Sequence, residues 1–77
     1  MKFLTRSGTT YEVDIANKLF RRIPQRDGYQ RADDGEWAAY LKLGDLVPGY
    51  RAVFDLGQSK YLYTSPITIL DESDENN

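Results

Sequence analysis

Apolar and polar residues alternate with period two over much of this chain, the spacing that puts successive side chains on opposite faces of a strand. Phe3 to Arg6 and Thr9 to Asp14 flank Ser7-Gly8, and such a pair between two β-prone runs predicts a two-residue hairpin in which Gly8 supplies the positive φ. On the second run Tyr11 and Val13 share one face while Glu12 and Asp14 share the other, so Val13 is expected to point inward. Asp14 to Pro24 fits two patterns. Ile15, Ala16, Leu19, Phe20 and Ile23 make a helical stripe that would give a short helix over 15–23, with Asp14 as its cap and Pro24 as its stop. A helix of that length is marginal, and a loop with left-handed Asn17 leading into a third strand, Lys18 to Ile23, is the preferred reading.

Gln25 to Glu36 is polar and rich in turn residues, which predicts a long exposed loop. Trp37 to Leu43 then reads as a strand with Trp37, Ala39, Leu41 and Leu43 on one face and Trp37 as a core anchor. Gly44-Asp45 and Pro48-Gly49 punctuate the chain before Tyr50 to Leu56, a strand expected to put Tyr50, Ala52, Phe54 and Leu56 on one face and to bury Phe54. A turn at Gly57 to Lys60 leads to the short run Tyr61 to Thr64. Pro66 is expected to break that run before an edge or closing strand, Ile67 to Leu70. Five to seven short strands with turns between them predict an all-β fold, a small antiparallel barrel or sandwich, with a barrel of the Src-homology-3 type preferred because closure removes sheet edges. Residues 1–70 form the single β-rich domain of this reading. Residues 71–77, with four acids and no apolar side chain, form an acidic solvated tail.

Composition narrows the chemistry. The chain has 77 residues, 40% of them hydrophobic, enough for one thin core. Without cysteine or histidine there is no disulfide framework, no Cys/His zinc site, no thiol nucleophile and no Ser-His or Cys-His pair. The tightest carboxylate group outside the tail, Asp33, Asp34 and Glu36, sits among turn residues with no motif linking it to a metal or nucleophile, and no glycine-rich phosphate loop is present. The expectation is a protein that is not an enzyme and needs no cofactor or metal. Missing cysteines favour a reducing compartment, the cytoplasm, and no apolar run approaches the roughly 20 residues that span a bilayer, so no membrane partner is expected.

At Thr5 to Asp14, Arg21-Arg22, Asp34-Gly35-Glu36-Trp37, Leu43-Gly44-Asp45 and Thr64 to Ile69, over roughly Met1 to Asp71, the chain resembles a group of short accessory proteins encoded by bacteriophages of actinobacteria. The resemblance implies a small module of a viral genome that acts by binding inside the bacterial host cell. It carries over no activity and no site residue.

Two surfaces are candidates for binding. Six tyrosines and a tryptophan are many for this length, and such side chains combine apolar area with a polar tip suited to protein interfaces. Tyr61 and Tyr63 alternate with Leu62, so the two rings share one side, in company with Tyr50 or Tyr40. Docking of a host or viral protein on this aromatic face is the leading reading, weighed against ordinary core packing. The alternative is nucleic-acid binding through Lys18, Arg21, Arg22, Arg26 and Arg31, which face the single acid Asp27, with Tyr29 and Phe20 stacking on bases. Against it stand a solvated hairpin whose arginines pair with Glu12 and Asp14, and the rule that Arg21 and Arg22 of one strand point to opposite faces. A third reading is a structural protein that self-associates into a homo-oligomer through a β edge or the tyrosine face.

Overall fold

The computed structural model describes residues 1–23 and 35–72, and over these the chain is all-β, with no helix. The strands are β1 (Lys2–Thr5), β2 (Thr10–Asp14), β3 (Leu19–Ile23), β4 (Ala38–Ala39), β5 (Lys42–Leu43), β6 (Arg51–Gly57) and β7 (Lys60–Asp71). All neighbours are antiparallel, in the order β4-β3-β2-β1-β7-β6-β5. The two ends of this sheet are consecutive in the chain, yet no ladder joins β4 to β5 among the described residues. The expected barrel is therefore not closed. The sheet folds over on itself in a sandwich-like way, and Phe54 of β6 packs on Phe3, Phe20 and Tyr11 of the opposite half.

The first hairpin is as expected in its strands and differs in its turn. Thr5 and Thr9 close a three-residue loop, Arg6-Ser7-Gly8, in which Gly8 has φ 89° and its N–H donates to the Thr5 carbonyl at 2.9 Å. The Thr5 hydroxyl also donates to the Thr9 carbonyl and the Thr9 hydroxyl accepts from the Ser7 hydroxyl at 3.4 Å, so both buried threonines find local partners. Val13 is buried, with Tyr11 beside it.

Residues 15–23 do not form the alternative helix. Glu12 faces Arg21 and Val13 faces Phe20 in the β2–β3 ladder, while Ile15, which a helical stripe would bury, is 56% exposed. The left-handed residue of this turn is Lys18, at φ 53°, in place of Asn17. Asn17 is held by Asp14, whose two carboxylate oxygens accept from its backbone and side-chain N–H groups at 3.1 and 2.9 Å.

The run from Trp37 to Leu43 is broken in two. Tyr40 donates its N–H to Lys18 beside β3, and the next residue, Leu41, donates to Asp55 of β6, so the chain crosses here from one half of the sheet to the other. The crossing turns Tyr40 into the core and leaves Trp37 and Leu41 exposed, which corrects both the expected face and the role of Trp37 as core anchor.

β7 is likewise one strand of 12 residues in place of two. Its first part pairs with β6 and its last part with β1, so it is central to the sheet, not an edge. Pro66 is tolerated because both ladders shift register around it, opposite Arg51/Val53 and opposite Leu4/Thr5, where a missing N–H removes no regular bond. Of the face expected on β6, Ala52 and Phe54 are fully buried, whereas Tyr50 precedes the strand and Leu56 lies at its second register shift, both exposed. Residues 25–34 of the expected loop and 73–77 of the expected tail lie outside the described residues.

Candidate functional site

The β6–β7 hairpin builds the aromatic surface. Gly57 and Lys60 pair across a two-residue turn, Gln58-Ser59, and Asp55 steadies its entry by accepting the Gly57 N–H at 2.9 Å. Tyr61 stands opposite Asp55 and Tyr63 opposite Val53, while Leu62 stands opposite the buried Phe54. With Leu62 turned toward the core, alternation puts both tyrosines on the outer face. They are 52% and 60% exposed, with ring centroids 6.4 Å apart.

The other two tyrosines do not join them. Tyr40 is buried, its ring edge-on to Phe54 at 5.5 Å, and burial, with the charge of Asp14 second, pushes its phenol above the ordinary range; it belongs to the core and not to a docking surface. Tyr50 is 70% exposed but is fixed at the far end of the hairpin, where its carbonyl accepts the Ile67 N–H and Gly49, at φ 94°, donates to the Ile67 carbonyl. The aromatic surface is therefore the pair Tyr61 and Tyr63.

The basic stretch is divided by its own strand. Arg21 lies on the outer face, where its Nη2 donates to Glu12 at 3.0 Å and its guanidinium sits 4.6 Å from the Trp37 ring centroid. Arg22 stands opposite the buried Tyr11, on the other face. Lys18 reaches the Leu41 carbonyl at 3.4 Å. Phe20 is in the core and is not available to stack on a base. Arg26, Tyr29 and Arg31 lie outside the described residues, as do Asp33 and Asp34.

A feature not read from the sequence is a row of alternating charge across the outer face. Asp71, Lys2, Glu12 and Arg21 occupy successive register positions on β7, β1, β2 and β3, and Trp37 covers the last of them. The signal was present as period two on each strand, but only the register aligns it. An open groove of about 790 Å³ also runs beside the Tyr40 crossing, lined by Ile15, Leu41, Leu46 and Val47 with Lys18 and Lys42. Among the described residues no group of three His, Cys, Asp or Glu side chains could hold a metal ion, and no helix is long and apolar enough to cross a membrane. No protein-family model, no curated protein and no solved structure matches this chain.

Proposed function

We propose that the protein is a non-enzymatic binding module, an accessory protein of a bacteriophage acting in the cytoplasm of a bacterial host, that docks a host or viral protein on the Tyr61–Tyr63 surface. The observation that supports this most is the pairing of two exposed tyrosine rings on a hydrogen-bonded strand backed by Phe54. Rings held by such a strand lose little conformational freedom on binding, and tyrosine is among the side chains that dominate interface energetics. Nucleic-acid binding is the weaker reading, because Arg21 and Arg22 stand on opposite faces and Arg21 is engaged by Glu12.

The test is affinity capture from nuclease-treated lysate of an actinobacterial host, comparing the native chain with Tyr61→Ala and Tyr63→Ala. Each truncation should weaken retention of one and the same partner by roughly thirtyfold, the effect of an interface residue worth about 2 kcal/mol. Undiminished retention by both variants refutes the site. Capture abolished by nuclease, and falling steeply with salt, would transfer the function to the basic stretch.

A further inference from the structure

β7 outruns its neighbour on one side. β1 pairs with its residues from Ile67 to Asp71, and the Arg6 N–H takes the Pro66 carbonyl at 2.8 Å. Beyond that the Ser65 hydroxyl meets Ser7 at 3.1 Å in the β1–β2 turn. Along Lys60 to Thr64, no strand lies on this side among the described residues.

The direction of the free backbone groups follows from the ladder. Val53 and Asp55 turn their carbonyls to the β5 side, accepting from Gly44 and Leu41 at 3.0 and 2.8 Å. Alternation then turns Phe54 and its partner Leu62 toward each other and leaves the N–H and C=O groups of Tyr61 and Tyr63 on the open side. Native edges are usually guarded by an internal charge, a proline or a bulge; here Lys60 and Pro66 stand outside the exposed Tyr-Leu-Tyr run and nothing interrupts it.

We infer that this edge pairs antiparallel with the same edge of a second copy of the chain, about a two-fold axis beside Leu62. The inference rests on the reading of the Tyr61–Tyr63 strand as the docking surface and names one partner for it. Three features favour a second copy over an unrelated peptide. Tyr-Leu-Tyr is its own reverse, so antiparallel self-pairing sets Tyr61 against Tyr63 of the second copy and the reverse. Donors and acceptors are complementary in that register, each tyrosine N–H meeting the opposite carbonyl, whereas an axis at Tyr61 would run Tyr63 onto the Gln58-Ser59 turn and an axis at Tyr63 would run Tyr61 onto Ser65, already met by Ser7. Lys60 meets Thr64 of the second copy, so no like charges face each other. The product is one continuous sheet with the tyrosines of both copies side by side on its outer face.

The test is sedimentation equilibrium of the full chain over a concentration series, repeated with Tyr63→Pro. Proline removes an N–H that faces the open side and leaves the bonds to β6 intact, so circular dichroism should be unchanged. The native chain should follow a monomer–dimer equilibrium, and Tyr63→Pro should raise its dissociation constant by about tenfold or more, since the lost bond occurs twice by symmetry. Should Tyr63→Pro fail to fold, hydrogen exchange in the native chain decides: the Tyr61 and Tyr63 amides should gain protection with concentration. A single-chain mass at every concentration overturns the inference, as does a dimer indifferent to Tyr63→Pro. Tyrosine-dependent capture of another protein by a monomeric chain would reject the dimer and keep the docking reading. A dimer whose capture ignores Tyr61→Ala and Tyr63→Ala would do the reverse.

Discussion

Phe20 and Phe54 stack with their ring centroids 4.3 Å apart and their planes 22° from parallel. They come from β3 and β6, strands that share no ladder, so this contact ties one half of the folded sheet to the other. Phe54 also packs against Phe3, Tyr11 and Tyr40 and has no exposed surface. Removing a buried phenylalanine ring costs about 3–5 kcal/mol, as much as a domain of this size commonly has in total. Phe54→Ala should therefore be largely unfolded at room temperature. Phe54→Leu, which keeps most of the volume, should remain folded with a lower urea midpoint. Native-like unfolding of Phe54→Ala would contradict a core organised around this ring.

Gln58 and Ser59 both have positive φ, 55° and 62°, in the two-residue turn between β6 and β7. That conformation suits Asn-Gly and is unfavourable for these residues. Gln58→Asn combined with Ser59→Gly should raise stability by about 1 kcal/mol with an unchanged denaturant slope, read from the urea midpoint. A loss of stability would mean that the turn differs from the one described.

The alternation of side chains was enough to put Val13 and Phe54 inside and Tyr61 and Tyr63 on one face, because period two survives wherever a strand stays paired. It failed where the chain changes partners. Extending the alternation from Leu43 back to Trp37 assumes one uninterrupted strand, and the crossing at Tyr40 exchanges which residues point inward. Pro66 read as a break because local sequence does not reveal that the β6 and β1 ladders shift register on either side of it. The basic stretch is a patch only in one dimension; the alternation that already argued against it holds on β3, where Arg21 and Arg22 go to opposite sides.

Tyr40 makes stability depend on alkaline pH. Burial, and then the negative charge of Asp14, raise its phenol above the ordinary value of 10.0, so the folded chain keeps this proton longer than the unfolded chain does. Between the two values the unfolded state binds fewer protons, and unfolding becomes easier as pH rises. The contribution is intact below the unfolded value and is lost as pH climbs through the folded one. Tyr40→Phe, which keeps the ring against Phe54, should flatten this decline in thermal unfolding midpoint above about pH 10 while changing little near neutrality. An equally steep decline in Tyr40→Phe would assign it to other groups.

Trp37 is the residue over which sequence and structure differ most, and its truncation separates the two. A tryptophan that anchored the core would cost about 3–5 kcal/mol on conversion to alanine. At 45% exposure, lying over the Arg21 guanidinium, it should cost about 1 kcal/mol or less. The same clamp holds Arg21 toward Glu12, a pair whose side chains are 32% and 24% exposed, so solvent screens it only in part. A double-mutant cycle with Glu12→Gln and Arg21→Met should give a coupling of about 0.5–1 kcal/mol that shrinks in high salt. Arg21→Lys keeps the charge but loses the planar stack, and should blunt the coupling to Trp37 more than the coupling to Glu12. Loss of several kcal/mol in Trp37→Ala, or a cycle with no coupling, would show that the outer row of charges is not fastened as described.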